Sequence, residues 1–345
     1  MSNIRVINAD VLDGLAQIEP GSVQCCVTSP PYWRLRDYGV DGQVGLEETF
    51  GEYVDRLVVI FESVRRVLRD DGTLWLNLGD SYAGFGRGGI GGASTLEGSH
   101  EGMNQCRSDK VNVPKIPDGC KPKDLIGAPW SVAFALRSAG WYLRQEIIWH
   151  KTNTMPESVT DRCTKSHEHL FLLSKSERYA FDHHAIAETA VTGDNGSRFD
   201  TGKTADHQGR RMQRGVRPGR SGNKSRKPAT GRGCPADGVA GNVPWEGTTR
   251  NKRDVWPIPT ARYPGAHFAT FPEALVEPCL LAGAPAGSLV IDPFCGSGTV
   301  GVVAKRLGCR FVGIELNPEY AAMAERRIGA ESPSLFAGMT AKETP

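Results

Sequence analysis

Along most of this chain, short apolar runs bounded by turn residues alternate with longer stretches of helical spacing. Such an alternation admits few folds: an α/β domain with a mostly parallel sheet, crossover helices, and strands buried on both faces. The strand candidates are residues 5–8, 23–28, 73–78, 146–150, 170–174, 288–292 and 310–315, seven in all. The helix candidates are 50–69, 123–139, 272–281, 299–307 and 318–328. In the first of these, Tyr53, Leu57, Ile60, Phe61, Val64, Val67 and Leu68 keep the spacing of one buried face, and Asp71-Gly72 is the expected stop.

Two stretches break the rhythm. Residues 84–92 hold six glycines, and no regular element is expected before residue 123. A loop that long inside a domain is usually functional or mobile. Residues 183–253 hold twelve glycines, no Leu and no Tyr. They cannot bury enough apolar surface to offset their ordering entropy, so a loop-rich, partly disordered segment is expected there unless a partner orders it. The tail 331–345 is expected to fray.

Charge sharpens this division. The net charge is only +2, but residues 183–253 carry 14 Lys/Arg against 6 Asp/Glu, a local +8. The remainder, with 27 basic and 33 acidic residues, is then −6. A basic segment inside an acidic body is a footprint of nucleic-acid contact, with a solvated polar insert as the alternative. There is no charged-then-apolar leader and no apolar run near about 18 residues, so a cytoplasmic protein with no membrane contact is expected. The nine cysteines are expected to stay reduced, with Cys25-Cys26 as core residues. Cys163, His167 and His169 lack a fourth ligand at a recognisable spacing, so no metal is expected.

Residues 289–299 read as strand, glycine turn and helix start. Gly296 and Gly298 allow close backbone approach, and the helix N-terminus behind them presents free N–H groups. A second acidic strand end, Glu315, lies 23 positions beyond Asp292, where an acid can accept the two hydroxyls of a ribose. There is no GxGxxG and no phosphate-loop lysine, so a ligand with ribose and adenine but no phosphate fits better. S-adenosylmethionine is one.

Near the N-terminus the apolar strand 23–28 runs into Ser29-Pro30-Pro31-Tyr32-Trp33. Two prolines fix φ and remove two N–H donors, leaving carbonyl acceptors in a stiff turn suited to a donor such as an exocyclic amine. Ser29 adds an acceptor, and Tyr32 and Trp33 offer faces for a flat ring.

With these motifs in this order, the chain resembles the β-class DNA amino-methyltransferases. Residues 28–33 look like their catalytic motif in its Ser-Pro-Pro-Tyr form. Residues 292–299 look like the cofactor motif, and Glu315-Leu316-Asn317-Pro318-Glu319-Tyr320 resembles the acidic motif that follows it. His267-Phe268-Ala269-Thr270-Phe271-Pro272 resembles the segment just before the cofactor motif. Asn8-Ala9-Asp10 resembles the strand end that approaches the adenine, with Ala9 where glycine is usual. Residues 148–151 with 166–169 resemble the segment before the recognition region.

The resemblance implies a circularly permuted S-adenosylmethionine-dependent methyltransferase fold with a seven-stranded sheet. Residues 1–182 would be the substrate-side half, 183–253 a target recognition insert, and 254–330 the cofactor-side half. It implies catalysis by Ser29, Pro30, Pro31 and Tyr32. The implied cofactor site is Asp10, Phe268, Thr270, Pro272, Asp292, Pro293, Phe294, Gly296, Gly298, Thr299, Glu315 and Asn317. Its substrate would be double-stranded DNA with the target base flipped out of the stack. Arg210, Arg211, Arg214, Arg217, Arg220, Lys224 and Arg226 would contact that DNA, with an affinity that falls steeply with salt.

Serine at the head of the turn favours cytosine-N4 over adenine-N6, the alternative within the class. An RNA or small-molecule methyltransferase and a non-catalytic nucleic-acid-binding module are the rivals outside it. A cognate restriction endonuclease, and a monomeric or homodimeric state, complete what the resemblance implies.

Overall fold

A computed structural model describes residues 4–84, 116–189, 249–261 and 271–332. In chain order the elements are β1 (Ile4–Asn8), α1 (Val11–Ala16), β2 (Val23–Thr28), α2 (Phe50–Val67), β3 (Leu68–Leu78), α3 (Ala128–Ser138), β4 (Tyr142–His150) and β5 (His167–Ser174). There follow β6 (Glu188–Thr189), β7 (Thr249–Arg250), β8 (Val255–Pro257), α4 (Glu273–Gly283), β9 (Leu289–Asp292), α5 (Thr299–Arg306), β10 (Arg310–Glu315) and α6 (Pro318–Ala330).

The main sheet has the order β1-β10-β9-β2-β3-β5-β4-β8. Strands β1, β10, β9, β2 and β3 are mutually parallel, and β5 is antiparallel to both β3 and β4. Among the described residues the sheet therefore has eight strands rather than the seven expected. The extra one, β8, is a three-residue edge strand parallel to β4, and Pro257 in it cannot donate to a ladder. Permutation is visible in the order. Strands β9 and β10, from the C-terminal end of the chain, sit between β1 and β2 from its N-terminal end.

Strand β2, apolar apart from Gln24 and Thr28, is buried at all six positions, as a central parallel strand should be. Helix α2 begins at a capping box, where Thr49 Oγ1 accepts from the Glu52 amide and the Glu52 carboxylate accepts from the Thr49 amide. It buries Tyr53, Leu57, Ile60, Phe61, Val64 and Val67 against the sheet. The helix ends at Val67, not at Asp71-Gly72. Leu68 is already extended, and Asp71-Gly72 lies in the register irregularity between the Val23–Leu68 and Cys25–Thr73 pairs. Cys25 and Cys26 are fully buried, and burial pushes the Cys25 thiol up to about 12.

The helix expected over 123–139 is shorter, Ala128–Ser138, because Pro129 starts it and the Asp80 carboxylate accepts the Gly127 and Ala128 amides at its head. The chain divides into two units, Met1–Ala187 with Asn251–Pro345, and Glu188–Arg250. In the second unit the ends pair as β6 and β7. No helix among the described residues is long and apolar enough to cross a membrane.

Candidate active site

In a parallel sheet, ligands bind beyond the carboxyl ends of the strands, where the strand order reverses. Here β1, β10, β9 and β2 end side by side at Asn8, Glu315, Asp292 and Thr28, and β9 and β2 are adjacent. A cavity of about 920 Å³ opens there. Of the residues singled out from sequence, its wall carries Asp10, Ser29, Pro30, Pro31, Tyr32, Pro293, Phe294, Gly296, Thr299, Glu315 and Asn317. Asp292, Gly298 and Pro272 do not line it. Phe268 and Thr270, and the whole arginine and lysine set from Arg210 to Arg226, lie outside the described residues.

Gly298 caps α5 at φ 81°, a left-handed conformation that disfavours a side chain, and a Cβ there would meet Ala324 at 3.0 Å. Gly296 (φ 51°) donates its amide to Glu315 Oε2 at 2.8 Å, and the Asn317 amide donates to Glu315 Oε1 at 2.9 Å. Burial raises the Glu315 carboxyl above its ordinary range, against these backbone bonds. From behind, Arg327 on α6 donates to the Ser297 carbonyl, to Ser297 Oγ and to Thr299 Oγ1, while Glu273 holds its other nitrogen. The turn is thereby tied to two helices.

Asp292 works inside the wall rather than on it. It is 1% exposed, accepts the Thr28 hydroxyl at 2.7 Å and the Phe294 amide at 3.1 Å, and so links the glycine turn to the end of β2. Burial pushes its carboxyl up to about 7, with the Glu315 charge adding to the rise. Since this lies above the ordinary 3.8, the folded protein binds the proton more tightly than the unfolded chain does. Stability should therefore fall as pH rises from about 4 to about 7 and level off beyond. Asp292→Asn keeps the accepting oxygen and cannot titrate. The variant is expected to melt higher than wild type at pH 8 and alike at pH 4. The gain at pH 8 should be equivalent to a few kcal/mol, because each tenfold change in proton affinity is worth about 1.4 kcal/mol. Thermal melts across that range check it; a constant offset at every pH would contradict it.

The proline turn is held by α2 and β3. Tyr53 donates its hydroxyl to the Pro31 carbonyl at 3.1 Å, which leaves the Pro30 carbonyl clear of that bond. Gly79 makes room for the Tyr32 ring, since a Cβ there would lie 2.6 Å from Tyr32 Cε2. The Tyr32 hydroxyl donates to Glu168 Oε2 at 2.8 Å, and Ser29 Oγ lies 3.4 Å from it. Burial, followed by the Glu168 charge, raises the Tyr32 phenol well above its ordinary value.

Among the wall residues that carried no assigned role in the sequence, Asn77, Lys151 and Glu168 stand together behind the proline turn. Lys151 and Glu168 lie in segments that matched the family pattern, but their meeting depends on strand pairing. Asn77, 3% exposed in β3, was hidden in an apolar run.

A family model for DNA methylases, N6_N4_Mtase, matches residues 23–326. The chain is 41% identical over 336 residues to the Type II methyltransferase M.Cfr9I of Citrobacter freundii, covering 97% of this chain and 91% of that one. It is 42% identical over 330 residues to the Type II methyltransferase M.SmaI of Serratia marcescens, covering 95% and 92%. Among solved structures, the cytosine-N4-specific PvuII DNA methyltransferase superposes with a TM-score of 0.56 at 17% identity, over 100% of this chain and 89% of that one. The Thermus thermophilus protein TTHA0409, complexed with S-adenosyl-L-methionine, superposes with a TM-score of 0.50 at 20% identity, over 94% of each. The chain belongs to the N6_N4_Mtase family of DNA methylases, enzymes that transfer a methyl group from S-adenosylmethionine to an exocyclic amine of a DNA base.

Proposed function

We propose that this enzyme methylates the N4 amine of cytosine in duplex DNA. The observation that carries the reading is the meeting, in one cavity, of the Ser29–Tyr32 turn with the glycine turn and Glu315. The donor set fits the cofactor: a carboxylate at a strand end for the ribose diol, and apolar side chains such as Phe294 and Ile314 for the adenine. When bound, S-adenosylmethionine supplies an electrophilic methyl on a sulfonium.

An exocyclic amine is a poor nucleophile because its lone pair is conjugated into the ring. Ser29 Oγ and the Pro30 carbonyl accept hydrogen bonds from the amine and steer its nitrogen towards a tetrahedral form. Tyr32 stacks on the flipped base, and Pro31 stiffens the turn. No strong base is needed, because the proton leaves after the nitrogen becomes cationic. Positioning and electrostatics then carry most of the rate. Serine, small and neutral, leaves room at the head of the turn for the cytosine amine, and the same fold carries cytosine-N4 specificity in the PvuII enzyme.

Residues 183–253 act as the recognition insert, with the arginine and lysine set from Arg210 to Arg226 on phosphates and base edges. As in a Type II modification system, a restriction endonuclease that cuts the same sequence in the same cytoplasm is the natural companion. Incubation of the purified chain with unmethylated genomic DNA and S-adenosylmethionine, followed by nucleoside mass spectrometry, is expected to yield N4-methylcytosine. N6-methyladenine as the product would overturn the base assignment, and labelling of RNA in preference to DNA would overturn the substrate.

A further inference from the structure

Behind Tyr32, three strands converge on one buried carboxylate. Glu168, in β5, accepts from the Tyr32 hydroxyl and from Asn77 Nδ2 through Oε2, each at 2.8 Å, while Oε1 is paired with Lys151 Nζ at the end of β4. Asn77 Nδ2 also reaches Tyr32 Oη at 3.1 Å and Ser29 Oγ at 3.4 Å. The bonds to Glu168 have a fixed direction. An ionised carboxylate only accepts, so the Tyr32 proton and one Asn77 amide hydrogen turn towards it, and the other amide hydrogen lies towards Tyr32 Oη and Ser29 Oγ. Asn77 Oδ1 is then turned away, buried and without a partner, in a residue that lines the cavity.

We propose that Glu168, with Lys151 as its counter-ion, is a positioning residue that sets the polarity of the base-side array. While it is ionised, it takes up the Tyr32 proton and an Asn77 amide hydrogen, which leaves lone pairs on Ser29 Oγ and Tyr32 Oη as acceptors, the polarity an incoming amine donor requires. A protonated Glu168 would itself donate, to Tyr32 Oη or to an Asn77 oxygen turned to meet it, and the Tyr32 and Ser29 hydroxyl protons could then point at the amine instead. This proposal rests on the reading of Ser29 and Tyr32 as the amine-binding side of the site.

The electrostatics agree with that arrangement. Burial alone would raise the Glu168 carboxyl, but the Lys151 charge and the bonds from Lys151, Asn77 and Tyr32 outweigh it and hold the group below the ordinary carboxylate range. The other charged or titratable groups near it are Lys165, whose ammonium donates to the Asp80 carbonyl, and on the strands His150, His167 and His169, the last paired with Glu146. A buried carboxylate deprived of its cation is costly and takes up a proton instead.

The test is single-turnover methyl transfer from tritiated S-adenosylmethionine to unmethylated genomic DNA, from about pH 6 to about pH 9, with cofactor binding measured in parallel. Glu168→Gln, which can no longer impose one direction, is expected to lose about 100-fold in rate at every pH with cofactor affinity unchanged. Lys151→Met, where burial is unopposed, should be slow at the acid end and climb towards wild type as pH rises. Lys151→Arg keeps the charge and should restore the pH profile of wild type. A Glu168→Gln rate equal to wild type, or a Lys151→Met deficit that is the same at every pH, would overturn the proposal. If Lys151→Met does not fold, the contrast between Glu168→Gln and Lys151→Arg decides it alone. Wild type that transfers no methyl to DNA would instead sink the underlying reading of the site.

Discussion

Tyr32→Ala is expected to bind S-adenosylmethionine as wild type does and to transfer its methyl group roughly a thousandfold more slowly. Two losses combine. A stacked base contributes about 1–3 kcal/mol through its aromatic platform, and a hydrogen bond to a charged group contributes about 1.5–3 kcal/mol. The Tyr32 hydroxyl makes such a bond to Glu168. Cofactor binding should survive because the glycine turn is held separately, by Glu315 from β10 and Arg327 from α6. Tyr32→Phe separates the two contributions, since it keeps the platform and loses only the donor, and an intermediate rate is expected. Single-turnover labelling of DNA beside a cofactor titration gives both quantities. Turnover of Tyr32→Ala at the wild-type rate would remove Tyr32 from the base-side site.

How far the site could be read beforehand depended on how local its chemistry is. The strands expected at 23–28 and 310–315 coincide with β2 and β10, because turn residues bracket a short, mainly apolar run in each. The residues that follow those strands inherit their place from the sheet, so both turns could be identified from spacing. The Glu168 cluster has no such shortcut. Tyr32 and Glu168 are 136 residues apart and Asn77 and Glu168 are 91 apart, and they meet only because β2 pairs with β3 in parallel and β3, β5 and β4 pair antiparallel. Helix α1 is six residues long, too short to show a period, and β8 buries only Trp256. The helix stop was misplaced for a related reason: Asp71-Gly72 is a good helix terminator locally, but Leu68 pairs with Val23 first, and sheet formation ends the helix before that terminator is reached.

Glu315→Ala is expected to weaken S-adenosylmethionine binding about 100-fold while leaving a folded protein. The carboxylate ends β10 in register with Asn8 of β1, beside the Gly296 turn, the place from which a strand-end acid reaches a ribose diol. Two hydrogen bonds from hydroxyls to a charged acceptor account for about 3 kcal/mol, which is the hundredfold. The same carboxylate holds the Gly296 and Asn317 amides, so its removal also loosens the turn that would meet the cofactor. Its effect on folding should be small, because burial raises the Glu315 carboxyl and the cost of desolvating the charge offsets the backbone bonds it accepts. Glu315→Gln offers a finer contrast. One accepting oxygen remains, so one backbone amide and one hydroxyl lose their partner, and an intermediate affinity should result. Calorimetric titration with S-adenosylmethionine measures both variants, and transfer at saturating cofactor should recover in each, since the base-side residues are untouched. Unchanged affinity in Glu315→Ala would move the ribose away from β10 and leave the glycine turn without its acidic partner.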